Sequence, residues 1–182
     1  MAAAVALVTE RDTADVPVSD IAEAADVSRR LVYQQFGDLD TLLLEAALDL
    51  ARRELLPRLA ESPQSSDRDH RMLAVAQHMA AHRAFYRALL TSPCAFALTK
   101  ELNSLLLPVN REGVRQLHGN RLDAAAIEDL ASFMTGGWGA LVLTWMVEGP
   151  HPLDPEQFTD RLQRIAAALM PQGWPPSPAT KH

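Results

Sequence analysis

Arg29 and Arg30 are followed, about one helical turn on, by Tyr33, Gln34 and Gln35. On a helix these residues set guanidinium groups, which can meet phosphate or the O6 and N7 edge of guanine, beside carboxamides whose donor–acceptor pair matches adenine. His78 and His82 stand four apart, a spacing that can place two imidazoles on one metal ion. No His-Glu-x-x-His pattern surrounds them and no cysteine is close in sequence, so the expectation is no metal, with one histidine exposed and the other half-buried. Cys94, the sole cysteine, follows Pro93 at an expected helix start, where a thiol pKa can fall; a buried thiol is the reading preferred over a redox sensor. A single cysteine also excludes an internal disulfide and fits a reducing, cytoplasmic setting. Catalysis needs a nucleophile, a base and a stabiliser that converge. The sequence has no Gly-x-Ser-x-Gly, no phosphate-cradling glycine loop and no supported pair of acids, and Asp67, Asp69, Glu128 and Asp129 read as solvated helix starts. The expectation is a protein that is not an enzyme and needs no cofactor.

The elements that must carry these residues are helical. The chain of 182 residues is 48% apolar but only 5% aromatic, a mix suited to alanine- and leucine-rich helices rather than a β-sandwich. Val18, Ile21, Ala22 and Ala25 keep helical spacing behind Pro17, placed at a first helical position. Ser28 is the expected N-cap of a short helix packing Val32 and Phe36, and Asp38 that of a longer one running to residue 60, which Pro57 should end or kink. One helix is expected over 66–91, one over 124–148 that is apolar almost all round, and one over 155–169 with a single apolar face. Prolines, Pro108 among them, are read as cutting the chain into these segments. The fold class is all-α with about nine helices. No apolar run approaches the ~18 residues of a membrane span, so no membrane partner is expected. Met1–Val8 lacks the basic flank of a signal peptide. The proline-rich tail 171–182 is expected to be loose, with Trp174 able to pin it.

Residues 18–37 have the layout of a helix-turn-helix, with Ala22 and Ala25 allowing close crossing, Val27 plugging the turn and Ser28 opening the second helix. The run Ile-Ala-x-x-Ala-x-Val-Ser, then Tyr33, Phe36-Gly37 and Leu42-Leu43, resembles the DNA-binding segment of the tetracycline-repressor (TetR) family, densely over 16–50 and more weakly beyond. The resemblance implies a homodimer with a DNA-binding head (1–50), a helical ligand-binding and dimerisation domain (51–170) and release of operator DNA by a small ligand. Ser28, Arg29, Arg30, Leu31, Tyr33, Gln34 and Gln35 are the expected DNA-binding positions. Several positions depart from the family's pattern. No basic arm precedes the first helix, Pro17 replaces a hydroxyl residue, the turn glycine is Asp26, and a phosphate-binding lysine is Leu39 between Asp38 and Asp40. Residues 1–55 hold five bases against eleven acids, which accounts for the whole formal charge of −6. Phosphate neutralisation supplies most non-specific affinity, so weaker, more salt-sensitive or more narrowly sited DNA binding is expected.

Ligand pockets are mostly apolar with a few orienting polar groups. Met72, Val75, Met79, His82, Tyr86, Phe96, Phe133 and Trp138 are the candidate lining of a site for an apolar or amphipathic small-molecule effector. Gly136, Gly137 and Gly139 inside a helix suggest close approach of another helix, or else room for a ligand beside Trp138. Leu130, Trp138, Leu141, Trp145, Phe158, Leu162, Ile165 and Leu169 are the candidate contacts of a four-helix homodimer interface. Two functions remain open: a repressor released from operator DNA by its effector, or a dimer of the same fold that binds a ligand or partner with a head that no longer reads DNA.

Overall fold

A computed structural model describes residues 1–60 and 67–169; the proline-rich tail and Trp174 lie outside them. The helices are α1 (Ala2–Arg11), α2 (Val18–Ala24), α3 (Arg29–Phe36), α4 (Leu39–Leu50), a π-helical segment (Ala51–Leu55), α5 (Leu56–Ala60), α6 (Asp67–Ala81), α7 (Arg83–Leu90), α8 (Ala95–His118), α9 (Ala124–Glu148) and α10 (Pro155–Leu169). With Leu39–Ala60 taken as one continuous helix, the described residues form nine helices and no strand. The chain is all-α.

Helix starts follow side-chain chemistry. Ser28 accepts the Leu31 N–H at 3.2 Å, Asp38 accepts that of Thr41 at 2.7 Å, and Asp123 opens α9 by accepting that of Ala126 at 2.8 Å. Pro17 stands one residue earlier than expected, as the N-cap of α2. Neither internal proline breaks its helix. Pro108 lies within α8, whose long packing against α9 outweighs one lost hydrogen bond. Pro57 follows directly on the π segment, where the Leu56 N–H bonds Ala51 five residues back and the wider turn takes up the ring that would collide with the Arg53 carbonyl. The expected helix over 66–91 is in fact two. His82 leaves helical geometry (φ −111°, ψ 26°), so the chain bends between α6 and α7.

One apolar core runs from the N-terminal helices into the rest of the chain. Ala4 and Val8 of α1, Ile21 of α2, Val32 of α3 and Leu43 of α4 belong to the same buried cluster as Phe85, Leu89, Met146 and Phe158. α1 packs on α7, α8 lies along α9, and α10 packs on α6. Arg83 joins the far ends: its guanidinium donates to the carbonyls of Met146 (3.3 Å), Gly149 (2.8 Å) and Pro150 (2.7 Å), satisfying the C-terminal end of α9. Trp145 stacks on Phe158 with ring centroids 4.2 Å apart.

α9 departs from expectation in one respect. By length and composition it is long and apolar enough to cross a membrane, with a mean hydropathy of 1.4 over 18 residues. Glycines, serine and threonines interrupt its apolar run, which hides this in a search for unbroken stretches. In the folded chain it lies against α8 and buries Ile127, Ala131, Thr135, Trp145 and Met146.

Candidate functional sites: the helix-turn-helix head and the bundle cavity

α2 and α3 form the helix-turn-helix. Asp26 takes the left-handed conformation of the turn (φ 51°), which a short polar side chain can adopt where glycine is usual. Two expected packing residues do not pack: Ala25 and Val27 are exposed, because the turn is held by backbone bonds, Val27 N–H to Ala22 and Asp26 N–H to Glu23. α3 is fixed from beneath by Val32, and Phe36 is half-buried. Arg29, Arg30, Leu31, Tyr33, Gln34 and Gln35 are all exposed, Leu31 and Tyr33 by 50% and 45%. Among the described residues no carboxylate pairs with Arg29 or Arg30, so the acids nearby leave both guanidinium groups open to a ligand. Ser28 is already engaged as the cap of α3. The nearby Arg11 pairs with Asp20 at 2.7 Å, which holds the Asp20 carboxyl below its usual range.

A cavity of about 390 Å³ lies between α6, α8 and α9. Met72, Val75, Met79, Tyr86 and Trp138 of the sequence candidates line it. Phe96 and Phe133 do not: they are 82% and 67% exposed, on the outer faces of α8 and α9. His82 is also off the cavity, turned to Glu54 at 2.6 Å. α8, which supplied no correct candidate, contributes Leu102, Leu106 and Val109, whose helical spacing was visible in the sequence. The polar part of the lining includes Arg71, Asn103, Asn110 and Thr135, with Asn110 donating to Thr135 at 2.8 Å. Gly139 packs closely on α8: a Cβ at that position would stand 2.8 Å from Asn103 Oδ1, so the Asn103 amide would have to turn aside. Gly136 and Gly137 face open space on the other side of the same helix.

Polar groups cluster next to the cavity. His78 is buried rather than half-buried or exposed, and its Nε2 lies 2.9 Å from the Tyr86 hydroxyl. Burial, helped by the neighbouring His82, pushes the His78 imidazole pKa down to about 4, so the ring is neutral near neutral pH. Burial pushes the Tyr86 phenol up, and it remains a donor, reaching the Ala47 carbonyl of α4 at 3.4 Å. Cys94 is buried, and burial raises its thiol pKa, the opposite of what its helix-start position suggested. Glu128 is not at a free helix start; Arg111 of α8 binds both its oxygens, at 2.6 and 2.8 Å.

The expected dimer contacts divide. Trp145, Phe158 and Leu162 are buried inside the chain, where α9 and α10 meet each other and α6, so they are not available to a second copy. Leu130, Trp138, Leu141 and Ile165 are partly buried, and Leu169 is exposed. Phe133, Gly136, Gly137, Ala140 and Thr144 form the exposed stripe of α9.

The family model for bacterial regulatory proteins of the tetR family matches residues 1–46, the helix-turn-helix head. The head of this chain is similar to that family's. The crystal structure of the TetR family repressor AlkX from Dietzia sp. strain DQ12-45-1b, implicated in biodegradation of n-alkanes, has a similar fold. It superposes with a TM-score of 0.59 and 22% identity, over 92% of this chain and 93% of that one. No functionally curated protein matches the chain. The match of the head suggests DNA-binding transcriptional regulation.

Proposed function

We propose that the chain is a cytoplasmic, homodimeric repressor that binds operator DNA through its head, residues 1–50, and is released by a small apolar or amphipathic effector held in the domain 51–170. The observation that carries this is the surface of α3: Arg29, Arg30, Tyr33, Gln34 and Gln35 stand together in solvent on a helix anchored by Val32, in the position that enters a major groove. The cavity supports the effector half of the reading. It is lined mainly by leucine, valine, methionine and Trp138, with amide and guanidinium groups to orient a polar end. The neighbour's part in n-alkane biodegradation is in keeping with an apolar effector. The stripe Phe133, Gly136, Gly137 and Ala140 supports dimerisation, because glycines facing open space let a second helix approach closely.

The acid excess of the head favours a second reading, in which the same dimer binds its effector or a partner but not DNA. One experiment separates the two. Fragmented genomic DNA is selected on the purified protein, and any enriched duplex is titrated with salt. A near-palindromic site, lost in Arg29→Ala or Arg30→Ala, establishes the repressor. No enrichment by a folded dimer at low salt establishes the second reading.

A further inference from the structure

Three irregular features of the fold meet at one point. The π segment carries Glu54, the break between α6 and α7 falls at His82, and between them lies His78, a buried polar residue in an apolar core. Glu54 Oε2 is 2.6 Å from His82 Nε2 and 3.9 Å from His78 Nδ1, and the three donor atoms all lie within 4.8 Å of one another.

The tautomer of His78 sets which nitrogen faces this cluster with a lone pair. In the Nε2–H tautomer the Tyr86 oxygen accepts from His78 at 2.9 Å while its hydroxyl turns to the Ala47 carbonyl at 3.4 Å. Nδ1 is then the unprotonated nitrogen, and it faces a carboxylate oxygen: two acceptors with no proton between them. A metal-binding imidazole characteristically donates its other N–H to such an outer partner, which sets its tautomer and orientation. Tyr86 fills that role here.

We propose that Glu54, His78 and His82 bind a divalent transition-metal ion of the zinc class, with His78 Nδ1, His82 Nε2 and a Glu54 oxygen as ligands. Two imidazoles and a carboxylate are a donor set that such ions favour over magnesium or calcium, and water from the exposed side of Glu54 completes a tetrahedron. Ligands at ~2.0–2.1 Å from zinc stand roughly 3.3 Å apart, so the donors need to close by about an ångström. Glu54 already lies within 3.9 Å of both nitrogens, and His82, 24% exposed at the break between α6 and α7, can swing towards His78 to make that adjustment. His82 Nε2–H now donates to Glu54; as the ion takes its place that proton leaves Nε2, and the ring stays neutral with its one proton on Nδ1. The sequence did not show this site, because Glu54 lies far upstream of the histidine pair.

The test uses the full-length chain without a histidine tag, stripped with chelator, then titrated with Zn²⁺ by calorimetry and with Co²⁺ by visible absorption. One equivalent per chain and the intense visible bands of tetrahedral Co²⁺ are expected. Glu54→Gln and His82→Ala, both at partly exposed positions, should each weaken Zn²⁺ binding by about 100-fold or more while leaving the circular dichroism unchanged. Tyr86→Phe should weaken it roughly 10- to 100-fold through His78. Absence of stoichiometric binding overturns the proposal, as does unchanged affinity in Glu54→Gln and His82→Ala, which would place the ion elsewhere.

Discussion

Tyr86 lines the bundle cavity while its hydroxyl lies 2.9 Å from Nε2 of buried His78 and 3.4 Å from the Ala47 carbonyl of α4. One side chain therefore touches the cavity, the histidine cluster and the last helix of the head. Tyr86→Phe leaves His78 Nε2 without its hydrogen-bond partner in a buried site. A loss of about 1–3 kcal/mol in urea-induced unfolding is expected; an unchanged midpoint would show that the bond carries no net stability.

The Arg83 fork closes the end of α9 from the first residue of α7. Arg83→Ala is expected to cost about 2 kcal/mol, since charged donors would be lost from three carbonyls. Arg83→Lys should recover only part of it, because an ammonium group cannot reproduce the fork. The pair of melting temperatures decides between charge and geometry.

Ser28 caps α3 and so holds the DNA-facing residues in register. Ser28→Ala should destabilise the chain by about 1 kcal/mol. Amide hydrogen exchange in α3 should rise more than in α8 or α9; a uniform rise would mean that the head does not open separately.

Asp38 caps α4, and the Thr41 N–H that it accepts holds its carboxyl below the usual range. A carboxyl depressed in the folded state stabilises above its unfolded pKa, and that contribution fades as pH falls through the folded value. The stability gap between the wild type and Asp38→Ala should therefore be full at about pH 6 and shrink towards about pH 3. Denaturant titrations at the two pH values check the sign.

Phe133 is exposed on the glycine-bearing face of α9. If that face meets a second copy, Phe133→Glu should convert the dimer to a folded monomer at micromolar concentration, as read by light scattering. A dimer that survives the change would move the interface elsewhere.

Much of the fold was legible because its signals are local. Ser28 and Asp38 announced their helices by the chemistry of a cap, and the residues 124–148 and 155–169 by their apolar period. What was hidden depends on distant partners. Trp145 and Phe158 look like interface residues in isolation, but they bury each other within one chain. Phe96 and Phe133 resemble pocket aromatics in type, yet the face on which a side chain sits is set by which side of α8 meets α9. Glu54 had no local mark at all, since its importance comes from a bend at His82 that helical spacing did not foretell.

The π segment Ala51–Leu55 also has a torsional meaning. A π turn holds one residue more than the α-helical pattern would use, and each residue of an α-helix advances the chain by about 100°. Leu55, the last residue of that segment, and Leu59 beyond it form a small separate core with Ala74. The head and the bundle are thus clocked against each other like two cams on one shaft. Deleting a single residue between 51 and 55 should pull the segment back into an α-helix, and either Leu55 and Leu59 leave their core or the head turns by about a quarter of a revolution.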